Sequence, residues 1–446
     1  MKFRMSFVLP AVVALALGAC DDTTAPMESE EQEFELTIEN VSAVNDFTSS
    51  GVFAVPAGQG MAGPLLPGQT YEFEFSAAPG QKLSFATMFV QSNDLFYAPD
   101  GMGIALYDAA GDPVTGDVTD QVYLWDAGTE ANEEPGLGAA QAPRQAGANT
   151  GSADADDTVR LADDEFGNLP AVSDVVRVML DSTGPTMFRL RIENVSTATT
   201  LSTSDGMMHP APLAPGVWAV HSGSDALFTA GQPDRGEGLE GVAEDGAASG
   251  LGAVLGGRTG LTSPIAPGVF AVHTGSSVLF SAGLMDMGMG LEALAEDGDP
   301  TSLAGAVAGH VNVSASGAFN TPVGAGGPAP AFPGESYSFT FTAEPGDRLS
   351  FATMLVQSND LFFAPAEAGI DLFSGGAVNG DITGMVLLWD AGTEANEEPG
   401  IGLNQAPRQS GANTGAMEGG TVRQVNDGYH YPDVSEVIRV TIRPVG

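Results

Sequence analysis

The feature that most constrains this chain is a pair of long, nearly identical internal repeats. LSFATMFVQSNDLF at 83–96 returns as LSFATMLVQSNDLF at 349–362, with one difference. WDAGTEANEEPG at 125–136 returns unchanged at 389–400. Because similar segments form similar local structure, the chain is expected to contain one structural unit twice. Its 446 residues are long enough for two such units.

The ends of the two units are marked by further similar segments. FELTIENVS begins at Phe34 and FRLRIENVS begins at Phe188, and the units close alike with VSDVVRV and VSEVIRV. The sequence therefore predicts one domain over 34–184 and a second over 188–446.

A shorter repeat lies inside the predicted second domain. Two pairs of segments share one constant offset: APGVWAVHSGSDALF at 214–228 with APGVFAVHTGSSVLF at 266–280, and GLEGVAEDG at 238–246 with GLEALAEDG at 290–298. This offset predicts an internal tandem duplication over 214–297. GVFAV at 51–55 is interpreted as a remnant of the duplicated segment in the first domain.

Alternation of apolar and polar residues predicts half-buried strands, for example over 71–75, 188–192 and 437–442. With 59 glycines and 29 prolines, turns are frequent. The expected fold is all-β, with tandem antiparallel β-sandwiches and long loops. Short helices are expected at 238–243 and 290–295, and the Gly/Ala-rich stretch 243–260 is expected to be a loop.

The first residues resemble the signal peptide of a bacterial lipoprotein. Basic Lys2 and Arg4 precede an apolar stretch that is too short to span a membrane, and LGAC at 17–20 resembles a lipobox. The resemblance implies that 1–19 is a lipoprotein signal peptide and that Cys20 carries lipid. Residues 20–33 would then be an acidic tether, and the chain would be exported and lipid-anchored in the cell envelope, on the periplasmic face or the cell surface. The alternative is an ordinary secretory signal with an incidental cysteine.

The charge balance limits the partners. With 15 basic and 57 acidic residues, the formal net charge is −42. Such a surface repels nucleic acid, which is therefore not expected as a partner, and favours cations and basic partners. Cys20 is the only cysteine, so no disulfide can form within one chain.

The densest cluster of acids is in WDAGTEANEEPG. Asp126, Glu130 and Glu134 lie close together there, and QSND at 91–94 supplies a further aspartate. Carboxylates so close together repel one another unless a cation is near. Calcium accepts such oxygen ligands in flexible geometry. The residues alone are compatible with two interpretations, a calcium-binding loop and a solvated acidic loop anchored by Trp125.

The combination of SNDLF, WDAGTE and a following EEPG resembles the spondin N-terminal domain, in particular its bacterial members. LFSAG and LEALAEDGD after Leu279 also resemble that family. The likeness covers nearly all of 34–184 and 188–446. It implies a C2-like β-sandwich with one bound Ca2+ in each domain, in an extracellular setting, and the family's animal members are matrix and adhesion proteins.

The resemblance also implies which residues bind the metal. They are Asp94, Asp126 and Glu130 in the first domain and Asp360, Asp390 and Glu394 in the second. The sequence departs from the family pattern in two ways. Leu95 and Leu361 stand where animal members have tryptophan. Glu130 and Glu394 replace aspartate, which lengthens that ligand by one methylene.

Other residues suggest weaker alternatives. Arg144 and Arg408 in QAPRQ could pair with the acidic loop without metal, or contact a partner. His221 and His273 could bind a transition metal, but a lone histidine at the end of an apolar strand fits a hydrogen bond to a turn better. The carboxylates could also serve glycoside hydrolysis, although no nucleophile–base set accompanies them.

The sequence thus predicts a non-enzymatic, lipid-anchored cell-envelope protein with two calcium-binding domains. Its expected role is adhesion or extracellular binding, with an unidentified protein or polysaccharide as partner. The alternatives are a carbohydrate-active hydrolase that uses the acidic loops and a passive envelope spacer.

Overall fold

A computed structural model describes residues 31–445. Antiparallel sheets and long loops make up most of this part of the chain, so the predicted all-β, sandwich-like fold is confirmed. The proposed signal peptide 1–19, Cys20 and most of the tether 20–33 lie outside the described residues. No helix within 31–445 is long and apolar enough to cross a membrane.

The strands, in chain order, are β1 Gln32–Asn40, β2 Phe47–Phe53, β3 Thr70–Ser76, β4 Lys82–Phe89, β5 Leu95–Pro99, β6 Ile104–Ala105, β7 Gly116–Asp117, β8 Val122–Asp126, β9 Arg160–Leu161, β10 Val176–Ser182, β11 Met187–Asn194, β12 Leu201–Ser202, β13 Met208–His209, β14 Leu213–His221, β15 Ile265–His273, β16 Val313–Phe319, β17 Ser336–Ala343, β18 Arg348–Leu355, β19 Leu361–Pro365, β20 Ile370–Asp371, β21 Gly380–Asp381, β22 Val386–Asp390, β23 Arg423–Gln424 and β24 Ile438–Val445. The α-helices are α1 Val172–Val175, α2 Leu239–Asp245, α3 Ala248–Gly257, α4 Leu291–Asp297, α5 Thr301–Ala308 and α6 Val434–Val437. Two 3-10 turns cover Thr119–Gln121 and Thr383–Met385.

The first sandwich packs two sheets face to face. One has the order β3-β11-β10-β7, and the other has the order β2-β14-β4-β5-β8-β9. Period-two alternation forms the core, since Phe188 and Leu190 of β11 are buried while Arg189 between them is half-buried on the outer face. Tyr71 and Phe85 extend the same fully buried core.

The second sandwich repeats this arrangement. Its sheets have the orders β17-β1-β24-β21 and β16-β15-β18-β19-β22-β23. Phe34 and Leu36 of β1 occupy the core positions that Phe188 and Leu190 occupy in the first sandwich.

The two sandwiches are nested along the chain. Strand β1 pairs with β17 and β24, whereas β11 pairs with β3 and β10. The first sandwich is therefore the continuous stretch 47–257, inserted between β1 and β15 of the second. The two connecting segments run side by side, with the amide of Gly260 donating to the carbonyl of Phe47 at 3.0 Å.

This pairing corrects the predicted boundaries of 34–184 and 188–446. FELTIENVS and FRLRIENVS carry the same core residues, so their similarity does not reveal which sheet each strand joins. The duplication over 214–297 is divided in the same way, with β14 in the first sandwich and β15 in the second. GVFAV is not a remnant of that duplication, because β2 pairs with β14 as β16 pairs with β15.

Helices cover the outer face of the larger sheet in each sandwich. Helices α2 and α4 confirm the two predicted short helices. Helix α3 lies where a loop was predicted, so that prediction is wrong. Leu251 and Leu255 lie one turn apart in α3 and are buried against the sheet, which offsets the helix-weakening effect of its glycines.

Candidate functional site

In each sandwich, two of the predicted acids meet at one end of a sheet. Asp94 directly precedes β5 and Asp126 closes β8, and the pairing of Leu95 with Asp126 places both carboxylates together. Asp360 and Asp390 occupy the same places in the second sandwich. All four aspartates are 1% exposed or less.

Asp94 holds the acidic loop with one oxygen only. Its Oδ2 accepts hydrogen bonds from the Thr129 amide at 2.8 Å, the Thr129 hydroxyl at 3.1 Å and the Glu130 amide at 3.1 Å. Its Oδ1 is buried and accepts no hydrogen bond from the described residues. Asp360 repeats both features. A buried carboxylate oxygen without a partner is costly and needs an explanation.

Asp126 is held by the loop and by an arginine. Its Oδ1 accepts from the Gly128 amide at 2.7 Å, and its Oδ2 accepts from the Asn132 amide group at 2.7 Å. Arg160 Nη2 donates to the same Oδ2 at 2.8 Å and to Asp154 at 2.6 Å. Asp154 is thus a third acid, joined to Asp126 through Arg160.

The second sandwich has the same arrangement with a longer third acid. Arg423 Nη2 bridges Asp390 at 2.8 Å and Glu418 at 2.6 Å. One oxygen each from Asp360, Asp390 and Glu418 lies within 4.8 Å of the others. We call Asp94, Asp126 and Asp154 the first acid cluster, and Asp360, Asp390 and Glu418 the second acid cluster.

The predicted ligand Glu130 already uses both carboxylate oxygens. Its Oε1 accepts from the Gly151 amide at 2.6 Å and its Oε2 from Asn93 Nδ2 at 3.2 Å. Glu394 makes the same two contacts, with Gly415 and Asn359. In the described structure these glutamates join two loops to the strand end.

The clusters are electrostatically costly when they are ionised. Burial, and then the charge of Asp126, raises the pKa of Asp94 to about 6. Burial, and then the charge of Asp390, raises the pKa of Asp360 to about 7. Burial also raises the pKa of both Asp126 and Asp390. A bound cation would favour the ionised form of all four.

A buried glutamate on the neighbouring helix lies next to each acid cluster. Glu244 of α2 is 2% exposed, and the Thr129 hydroxyl lies 2.7 Å from its Oε1. Its Oε2 accepts no hydrogen bond from the described residues. Burial raises the pKa of Glu244 and that of its counterpart Glu296 to about 8. Both are therefore expected to be mainly protonated at neutral pH.

Arg144 does not pair with a carboxylate among the described contacts. It donates to the Gly138 carbonyl at 2.7 Å and to the side chains of Gln91 and Gln141 at 2.9 and 2.8 Å. Arg408 makes equivalent contacts. Of the two alternatives for these arginines, pairing with a carboxylate of the acidic loop is not among the described contacts, and it is Arg160 and Arg423 that form ion pairs with the aspartates.

The two repeated histidines lie in different sandwiches and cannot share a metal. His221 is buried, with Nε2 2.9 Å from the Ser84 hydroxyl and Nδ1 3.0 Å from the Gly223 carbonyl of the following turn. His273 contacts the Ser350 hydroxyl in the same way. The predicted structural role is confirmed for His221 by its bond to the turn.

Several site residues were not predicted from the sequence, although they lie in repeated segments. Arg160 and Arg423 close the repeated tripeptide TVR, and Glu244 and Glu296 lie in the repeated AEDG. Asp154 and Glu418 differ in type, so no repeat marked them. Their role depends on loop geometry, which spacing alone does not give.

In comparisons with known proteins, no protein-family model and no curated protein sequence matches the chain. The resemblance to the spondin N-terminal domain therefore rests on the motifs described above.

Proposed function

We propose that the protein is a lipid-anchored cell-envelope protein whose two sandwiches each bind one calcium ion and serve extracellular binding or adhesion. The observation that carries this proposal is the buried Oδ1 of Asp94 and of Asp360. Each is an oxygen that accepts no hydrogen bond within residues 31–445, and each lies beside a second buried aspartate. Hard oxygen ligands of this kind match what calcium prefers.

The oxygens of the second acid cluster lie within 4.8 Å of one another, close enough to hold such an ion, whereas those of the first acid cluster do not all meet that distance. Asp94 and Asp126 would hold it in the first sandwich, with Asp154 as the third acid and Glu130 positioning the loop. Asp360, Asp390, Glu418 and Glu394 have the corresponding roles in the second. The ion would supply positive charge that neutralises the cluster and fixes the acidic loop for contact with a partner protein or polysaccharide.

The direction of β1 supports presentation away from an anchor. β1 begins at Gln32 beside Val445 and ends at Asn40, which donates to the Ser263 carbonyl at 2.9 Å. The Ser263 hydroxyl in turn accepts from the amide of Gln357, which leads into Asp360, at 3.3 Å. A tether that precedes Gln32 would therefore leave from the end of the second sandwich opposite its acid cluster.

Burial of the acids supports binding over hydrolysis. A glycosidase needs two carboxyl groups on either side of a sugar bond, with space for the sugar between them. Here the aspartates are buried and Arg160 or Arg423 lies across them. We therefore propose that the protein is not an enzyme.

A thermal melt with paired activity assays tests this proposal. We expect calcium to raise Tm relative to chelator by roughly 5 °C or more in the wild type, and much less in a chain with Asp126→Ala and Asp390→Ala. Immobilised wild-type protein should bind envelope polysaccharides or proteins in calcium and release them in chelator. A glycan-hydrolysing activity that the double variant loses while keeping its Tm would favour the hydrolase. If neither calcium nor chelator changes Tm and no ligand is captured, the results would favour the passive spacer.

A further inference from the structure

Two strands of this chain are interchangeable by their core residues. We call the gap between β3 and β10 the first slot and the gap between β17 and β24 the second slot. β11 fills the first slot and β1 fills the second. Both strands bury Phe, Leu, Ile and Asn in the same order. The buried Asn40 and Asn194 also donate to two backbone carbonyls each, in matching places.

The outer faces of the two strands differ in charge. In the first slot, Arg189 lies opposite Glu74 on one side and Asp181 on the other. Arg189 pairs with Glu74, and Arg191 of the same strand pairs with Asp181 at 2.8 Å. At these positions the outer face of the first slot is therefore acidic, and its strand is basic.

The second slot has the opposite polarity. Glu35 of β1, which corresponds to Arg189, lies opposite Arg443 on β24 and forms an ion pair with it. On its other side Glu35 faces the neutral strand β17, where the Ser338 hydroxyl donates to it at 3.0 Å. Asp181 of the first slot thus corresponds to Arg443 of the second.

Exchanging the two strands would bring like charges together. Glu35 in the first slot would lie between Glu74 and Asp181, and Arg189 in the second slot would face Arg443. Directly opposed like charges destabilise a sheet, whereas opposite charges stabilise it. One position does not discriminate, because Glu39 and Glu193 both face an arginine, Arg439 or Arg177.

The order of the chain creates the competition. β1 precedes both slots, and β3 and β10 of the first slot precede β17 and β24 of the second in the sequence. Until β24 is made, β1 has no slot of its own. β11 follows β10 through a short turn, which favours its local pairing but does not by itself exclude β1.

We propose that the outer-face charges at positions 35, 189 and 443 and their neighbours assign each strand to its own sandwich. The first slot rejects β1, whether it comes from the same chain or from a second copy. This device prevents strand exchange between the sandwiches and between molecules. It does not depend on metal or on any binding partner.

Cysteine reporters in the full chain test the assignment, in a Cys20→Ser background so that only reporters pair. Thr37→Cys with Thr441→Cys reports β1 in the second slot, because these residues lie opposite each other. Thr37→Cys with Met179→Cys reports β1 in the first slot, because Met179 lies opposite Arg191, the counterpart of Thr37. The protein is refolded under oxidising conditions, and cross-linked peptides are quantified by mass spectrometry. Gels separate links within a chain from links between copies.

With native charges we expect the 37–441 link to dominate. Exchanging the charges by Glu35→Arg with Arg189→Glu should raise the 37–179 link at least about five-fold, since attraction and repulsion trade places. An unchanged ratio of the two links would overturn the proposal. Glu39→Gln is the matched control, because it removes an ion pair that does not discriminate. If Glu39→Gln raises the 37–179 link as much, the charges stabilise without sorting and the proposal fails.

A second variant covers failure of the exchanged chain to refold. Glu35→Arg with Arg443→Asp restores the ion pair of the second slot with reversed polarity. It should recover the 37–441 link relative to Glu35→Arg alone. No recovery contradicts assignment by charge.

Discussion

A single arginine side chain forms ion pairs with two acids in each acid cluster. Arg160 touches both Asp126 and Asp154, so it supplies positive charge to the first cluster without metal. The same charge opposes the approach of a cation. Arg423 has both effects in the second acid cluster, where it contacts Asp390 and Glu418. One side chain is therefore expected to stabilise the metal-free protein and to weaken calcium binding.

Replacing Arg160 by Met separates these effects. In chelator we expect Arg160→Met to lower the free energy of unfolding by roughly 1–3 kcal/mol, because Asp126 is left buried without its cation. Calorimetry should show calcium binding about ten-fold more tightly at the first cluster, since repulsion is removed. Arg177→Met is the control, because its pair with Glu193 is solvent-exposed and should change stability by less than about 1 kcal/mol. Weaker calcium binding in Arg160→Met would instead make the arginine a positioning residue.

The pH dependence of stability also belongs to individual residues. The pKa of Asp94 is raised to about 6 and that of Asp360 to about 7 in the folded state. A raised carboxyl pKa means that the folded chain holds more protons than the unfolded chain. Stability from these groups is thus present below pH 4 and is lost as the pH rises through 6 to 7.

In chelator, we expect these two aspartates to lower Tm between pH 5 and pH 8. Asp94→Asn with Asp360→Asn should flatten that slope, because the amide does not ionise. Calcium should raise Tm more at pH 8 than at pH 5, since protons compete with it for the carboxylates. Scanning calorimetry across pH, with and without calcium, measures both effects. An equal slope in wild type and variant would contradict the assignment.

At the scale of elements, the acidic loop depends on glycine backbone. Gly128 has a φ of +71°, and a Cβ there would lie 2.6 Å from the Thr158 carbonyl, next to β9. The loop therefore folds tightly against β9, which is what places Arg160 beside Asp126.

Gly128→Ala should disrupt this element. We expect a loss of about 2 kcal/mol or more, from left-handed strain together with the backbone contact. Gly147→Ala in the same long loop region meets no atom within 4 Å and serves as the control. Chemical denaturation of both variants measures the difference. Equal stabilities would show that the close approach of Gly128 to β9 is not needed.

Elements were predicted from sequence where periodicity was strong. The strands around Tyr71, Phe188 and Val440 and helices α2 and α4 follow from alternation or helical spacing. Helix α3 was missed because its glycines and alanines predict a loop, and only burial of Leu251 and Leu255 favours the helix. Asp94 and Asp126 were predicted because they lie in strongly repeated motifs, QSND and WDAGTE, that resemble the spondin N-terminal domain. Asp154 was not, because it lies in a long loop whose path no local pattern specifies.

At the scale of the whole molecule, the repeats could be recognised in the sequence, but the pairing of their strands could not. A cleft of about 1440 Å³ lies between the sandwiches, lined by Pro79 and Ser222 of the first and by Gln357 and Gly400 of the second. Gln357 and Gly400 lie at the acidic end of the second sandwich. Gln81, which also lines the cleft, directly precedes β4, and Asp94 follows the other end of that strand. The cleft therefore lies at the end of the first sandwich that is opposite Asp94. The sandwiches are therefore stacked head to tail, and the first acid cluster lies at the far end of the molecule.

The nested topology predicts which fragments fold. Residues 47–257 contain every strand and helix of the first sandwich, so this fragment should unfold cooperatively and show dispersed amide signals in NMR. Residues 34–184 lack β11, β14 and α2. Without these elements, Phe85 and the core residues that pack against Phe188 in the full chain are left uncovered. That fragment should lack a cooperative transition. A folded 34–184 together with an unfolded 47–257 would contradict the nesting.

The central claim is that each sandwich binds one calcium ion through its buried aspartates. Isothermal titration calorimetry of calcium into chelator-treated protein tests it most directly. We expect two ions per wild-type chain, one per chain for Asp94→Asn and one for Asp360→Asn, and none for the double variant. Heats that are absent in the wild type, or that stay the same in the double variant, would contradict the claim.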